Sequence, residues 1–124
     1  MLPERELAKL RYGSIVYAPV YNSSETDSAG VHWVVILDSD EEIKANDEYY
    51  AVGISHKADV NKQFLIPVPQ RIGLTGFIQC SWQPTVKVPG IKKIYHIRLN
   101  EAEMLLVMKT IREYQASIRP STQS

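Results

Sequence analysis

Hydrophobic positions fall in short runs separated by polar, Gly- and Pro-marked stretches, and sustained helical spacing appears only near the C-terminus. Residues 3–10, PERELAKL, predict a short first helix, with Pro3 suited to its start and Glu4 and Glu6 to the positive end of its dipole. Strand patterns follow at 14–20 (SIVYAPV), 31–37 (VHWVVIL), 49–54 (YYAVGI), 63–69 (QFLIPVP), 76–82 (GFIQCSW) and 92–99 (KKIYHIRL). Pro67 and Pro69 remove ladder donors, so the fourth of these belongs at a sheet edge. Residues 21–30 predict a polar loop, and 38–47 an acidic connector with room for a helical turn. In 76–82, alternation puts Phe77, Gln79 and Ser81 on one side and Ile78, Cys80 and Trp82 on the other.

The C-terminal helix has the clearest signature. Asn100 suits an N-cap, and Glu103 stands three residues later as in a capping box. Met104, Val107, Met108, Ile111, Tyr114 and Ile118 then recur at helical spacing and form one apolar face. The methionines on that face read as packing groups. Such a face needs a partner, so the helix is expected to lie across the strands. The fold class expected is mainly β with helices (α+β): an SH3-like small barrel of five to seven strands with the amphipathic helix packed across it. Residues 1–124 form a single domain on this reading, with a core of about 12–116 and a frayed tail at 119–124.

Composition adds little until charge is placed along the chain. The 124 residues carry 14 Lys+Arg and 14 Asp+Glu, which excludes a uniformly basic nucleic-acid coat and an acidic mimic. Residues 22–50, however, hold the acids Glu25, Asp27, Asp38, Asp40, Glu41, Glu42, Asp47 and Glu48 against Lys44 alone. Residues 56–99 hold Lys57, Lys62, Arg71, Lys87, Lys92, Lys93 and Arg98 against Asp59 alone. Either the fold keeps these segments apart and one face is basic, or the strands interleave and the charges offset each other.

Cys80 is the single cysteine, and no Cys/His cluster or CxxC suggests a metal; no cofactor is expected. Within its strand Cys80 reads as a small buried hydrophobe. No secretory signal and no bilayer-spanning run is recognised, so the expectation is a reduced, cytoplasmic, soluble domain without a membrane partner. Walker, GxGxxG and GxSxG motifs are missing, and the histidines share no metal spacing.

The ordered series of segments resembles the MazF/PemK/Kid family of toxin ribonucleases from toxin–antitoxin pairs. The segments carrying the resemblance are YGSIVYAPV, AGVHWVVIL, YAVGISH, GLTGFIQCSWQPTV and IRLNEAEMLLVMKTI, together about residues 12–115. The resemblance implies an SH3-like barrel, a homodimer, an antitoxin protein as partner and a groove for single-stranded RNA. It also implies metal-independent cleavage, in which a base helps the ribose 2′-hydroxyl attack the adjacent phosphate. An acid then serves the leaving oxygen while donors hold the phosphate charge.

Carried across position by position, the family's Arg at the start of its second strand falls on His32, and its hydroxylic position on Ser55, followed by His56. Its Arg-Cys-Asp-Gln stretch falls on Gln79, Cys80, Ser81 and Trp82, or, with a one-residue slip, sets Gln83 at the glutamine. Two charged family positions are thus uncharged, at Gln79 and Ser81; Gln79 donates hydrogen bonds but carries no guanidinium charge. The expected catalytic set is His32, Ser55 and Gln79, with His56, Lys57, Arg71, Ser81, Trp82 and Gln83 on substrate. Trp82 suits stacking on a base and equally suits filling a barrel end or a dimer interface. Two functions stay open. One is a toxin-type endoribonuclease acting on single-stranded RNA. The other is a barrel without catalysis, serving as a nucleic-acid or antitoxin/protein interaction module. The first requires His32, Ser55 and Gln79 to converge.

Overall fold

The strand Ile15–Tyr21 (β1) buries residues on both of its faces, and that property organises the molecule. In a computed structural model that describes residues 1–56 and 62–118, neighbouring residues of the long strands enter two different cores. Lys57, Asp59 and the tail at 119–124, all considered above, lie outside the described residues. After a first helix at Glu4–Leu7 (α1) and β1 come β2 (Val31–Ile36), α2 (Asp40–Ala45) and β3 (Glu48–Ser55). The short strands β4 (Leu65–Pro67), β5 (Phe77–Gln79), β6 (Thr85–Lys87) and β7 (Lys93–Ile94) follow, and α3 (Glu101–Ile118) ends the order.

All pairings are antiparallel. β1 pairs with β2, β2 with β3, β3 with β6 and β6 with β1, which closes a four-stranded barrel. β5 continues the sheet from the C-terminal half of β3, β4 forms the edge beyond it, and β7 runs beside β1. The interior takes every second residue: Val16, Ala18 and Val20 from β1, Val34 and Ile36 from β2, Tyr49 and Ala51 from β3, and Val86 from β6. The alternate residues Ile15, Val35, Val52, Ile54 and Ile78 point outward and meet Met104, Val107 and Ile111 of α3. Each such side chain removed from water contributes roughly 1.5–3 kcal/mol before entropy is counted, which is what holds α3 across the sheet. The result is the mixed α+β barrel with a crossing C-terminal helix that the sequence predicts.

The start of α3 is fixed by polar groups. The Glu103 amide donates to Asn100 Oδ1 at 2.8 Å, and the Asn100 amide donates to Glu103 Oε1 at 2.8 Å, completing the capping box. Arg71, in the 3-10 turn Gln70–Ile72, adds a forked contact to the same carboxylate and donates to the Arg98 carbonyl at 3.1 Å. The Arg71 hydrogen bonds hold Glu103 below the usual carboxylate range. A carboxylate with a lowered folded-state pKa contributes stability above its unfolded pKa and loses it as pH falls through the folded one. Arg71→Ala should therefore melt below the parent at neutral pH and level with it in strong acid. A gap that persists unchanged into acid would assign the effect to packing instead.

Several local expectations are revised. The chain forms a strand at 85–87 that the hydrophobic pattern does not announce, and this strand completes the barrel. The 76–82 strand stops at Gln79, because the Trp82 amide turns back to the Gln79 carbonyl at 2.9 Å. Trp82 consequently leaves the face of Ile78 and Cys80 and packs against the barrel interior. The 92–99 strand shortens to Lys93–Ile94. On α3, Ile118 is exposed and Thr110 is buried, its hydroxyl donating to the Leu106 carbonyl at 2.8 Å. The acidic connector does hold a helix, capped by Ser39, whose hydroxyl accepts from the Glu42 amide.

Candidate functional site

Residues paired across antiparallel strands point to the same face. Val34 pairs with Gly53, and Gly53 pairs with Gln79. Val34, Gly53 and Gln79 therefore share the barrel-interior face, as do His32 and Ser55, each two residues along its own strand. His32 and Ser55 lie past the last β2–β3 pairing, and they and Gln79 are half-buried. The opposite face of β5 carries Ile78, which lies in the core beneath α3 with Cys80 just beyond it. Phe77 is accordingly not the core residue of this strand, and that is what places Gln79 on the site's face.

Trp82 closes the barrel end beside them. Its indole N–H donates to Asn22 Oδ1 at 2.8 Å. Its ring lies against Gly53, where a Cβ would come within 2.0 Å of Trp82 Cε3. The His32 and Trp82 rings meet edge to face, with centroids 5.1 Å apart and planes at 88°. His32 Nε2 lies 3.3 Å from the Ala29 carbonyl. A carbonyl only accepts, so this contact assigns the hydrogen to Nε2 and leaves Nδ1 of the neutral ring with its lone pair.

The other residues distribute unevenly. His56 is exposed just past the end of β3, and Ser81 is half-buried in the turn after β5. The Gln83 amide donates to the Cys80 carbonyl. Arg71 is engaged with Glu103 and Arg98 at the start of α3 and is not among the residues on the His32 face. Lys57 lies outside the described residues. The acidic and basic segments meet in the β3–β6 register, where Lys87 stands opposite Glu48, whereas Arg71 pairs with Glu103, outside the acidic segment. Among the described residues no group of three or more His, Cys, Asp or Glu is arranged to hold a metal.

Cys80 is fully buried, and burial pushes its thiol up to about 12. The thiolate is the reactive form, so iodoacetamide at neutral pH should leave the folded protein unlabelled and modify it only after denaturation. Rapid labelling of the native protein would show that Cys80 is reachable.

Two residues that organise the site, Asn22 and Gly53, do not stand out in the sequence as functional. Gly53 had a usable signal, since a glycine inside an apolar strand marks a close approach of another group. Asn22, in a polar loop far from Trp82 in sequence, had none.

The fold so described, a closed four-stranded barrel with added strands and a crossing C-terminal helix, is the MazF fold. An endoribonuclease in complex with its cognate antitoxin, from a mycobacterial species, superposes with a TM-score of 0.69 at 11% identity, over 90% of this chain and 99% of that one. MazF in a MazE–MazF complex from Deinococcus radiodurans gives 0.68 at 10% identity, over 86% and 96%. Mycobacterium tuberculosis toxin MazF-mt6 gives 0.61 at 13%, over 82% and 96%. No family model and no curated protein matches the chain. No helix among the described residues is long and apolar enough to cross a membrane.

Proposed function

We propose that this chain is a toxin-type endoribonuclease that cleaves single-stranded RNA without a metal ion. The observation that carries the reading is the placement of His32, Ser55 and Gln79 on one face of a MazF-type barrel, at the end where Trp82 is seated. Nδ1 of His32 takes the proton from the ribose 2′-hydroxyl as it attacks the adjacent phosphorus. Ser55 and Gln79 donate to the phosphate oxygens, where charge develops. His56 and Lys57, next along the chain from Ser55, supply positive charge and a proton for the leaving 5′-oxygen. Ser81 and Gln83 contact the strand alongside, and Trp82 forms the floor of the site. Structural relatives crystallised with antitoxins support an antitoxin protein as partner. A homodimer of one-domain chains in the cytoplasm completes the reading.

The test is incubation of purified protein with a set of single-stranded RNAs in the presence of EDTA. Cleavage should proceed and leave 2′,3′-cyclic phosphate ends, the chemical consequence of 2′-hydroxyl attack. RNA binding should weaken steeply with added salt, since phosphate contacts release counterions. Absence of cleavage across varied RNAs would overturn the enzyme reading in favour of a non-catalytic interaction module.

A further inference from the structure

The outer wall of the barrel carries a second concave surface, formed by residues that point away from the His32 face. Two recesses of about 520 and 560 Å³ adjoin there and share Tyr21, Glu48 and Lys87. Their floor is set by strand register. Tyr21 pairs with Thr85 across β1–β6, and Tyr50 pairs with Thr85 across β3–β6, so the three stand in one cross-strand row. Their sequence neighbours Val20, Tyr49 and Val86 are interior, so the row faces outward. α3 covers this side of the sheet elsewhere but leaves the row open; Tyr50 is 65% exposed, and Gln115 of α3 reaches only the rim.

The two tyrosines flank a central strand, and adjacent strands lie ~4.8 Å apart, which sets their backbones roughly 10 Å from each other. A polyproline II helix repeats every three residues at ~3.1 Å each, or roughly 9 Å. Successive prolines at that spacing match the separation of the two tyrosine positions, and Pro19 and Pro89 extend the apolar floor. The charge at the edges selects further. Glu25, Asp47 and Glu48 line the recesses against one cation, Lys87, whose ammonium already lies 4.4 Å from the Tyr21 ring centre. Excess carboxylate repels a phosphate backbone and favours a cationic ligand. Aromatic-lined grooves recognise the preformed polyproline II conformation at low entropic cost.

We propose that this trough docks an extended, proline-rich segment of another protein that carries arginine or lysine at one end. The Tyr21–Thr85–Tyr50 row points away from the His32 face, while the rim of its recess at Asn22 and Gln83 adjoins the Trp82 end; the proposal does not depend on the ribonuclease reading.

The test is titration of the 15N-labelled protein with a synthetic decapeptide that has prolines at three-residue spacing and two terminal arginines. A matched peptide with glutamates for the arginines and an oligouridylate serve as controls. The arginine peptide should shift the amide signals of Tyr21, Tyr50 and Thr85, and the glutamate peptide should bind at least about tenfold more weakly. Tyr50→Ala, which removes an exposed ring, and Glu48→Gln should each reduce affinity about tenfold while melting with the parent. Three results would overturn the proposal: no shifts at millimolar peptide, shifts produced equally by the glutamate peptide or the oligouridylate, or concentration-dependent broadening of the row without peptide, which would mark a second copy as its occupant.

Discussion

His32→Ala should lower the rate of single-stranded RNA cleavage by about a hundredfold or more, the scale on which a positioned general base acts. The geometry supports a base at this position. The ring is held on one edge by the Ala29 carbonyl, which fixes its tautomer, and against Trp82 on another side. Orientation of this kind is what separates a catalytic base from a histidine that merely titrates. Thermal unfolding followed alongside cleavage distinguishes loss of a base from loss of structure. His32→Gln is the informative companion. Its amide can still donate to the Ala29 carbonyl but has no basic nitrogen, so it should restore the packing and not the rate. A glutamine variant as fast as the parent would remove His32 from the chemistry, and so would an alanine variant that cleaves normally.

The parts of the molecule legible in the sequence are those whose signal is local. Asn100, Glu103 and the apolar spacing after them define α3 within a few turns of chain, and the capping bonds form between those same two residues. The edge position of β4 follows from prolines that cannot donate to a neighbour, and among the described residues β4 pairs only with β5. β6 was not legible. It has three residues, lies between Pro84 and Pro89, and is a strand because β1 and β3 flank it. Pairing between distant segments leaves no periodic mark in a three-residue strand. Trp82 departs from the pattern for a related reason: alternation carried through Cys80 and Ser81 puts it beneath α3, whereas a turn rotates it into the barrel. At the site, the identities of His32, Ser55 and Gln79 rest on the family resemblance. Their common face comes from register, which no single segment encodes.

Gly53→Ala should destabilise the protein by about 3 kcal/mol, a large share of the ~5–15 kcal/mol that holds a typical domain. The cause is steric and specific. The methyl group would sit 2.0 Å from Trp82 Cε3 and 2.3 Å from Cζ3, inside any possible contact. Gly53 is paired on both sides, to Val34 and to Gln79, so its backbone cannot retreat. The Trp82 ring must move, breaking the bond to Asn22 and the edge contact with His32 and exposing the barrel end. Losing a large aromatic from such a seat costs about 3–5 kcal/mol, so displacement and truncation should cost similar amounts. A double-mutant cycle separates this mechanism from a general intolerance of alanine at position 53. In a Trp82→Ala background the clash has no partner, and Gly53→Ala should then cost little. Chemical denaturation of the four proteins measures the coupling directly, and strict additivity would show that Gly53 does not act through the indole. The same cycle followed by RNA cleavage tests the link to His32. If Trp82 sets the histidine's orientation, Gly53→Ala should slow cleavage at temperatures where the variant is still fully folded.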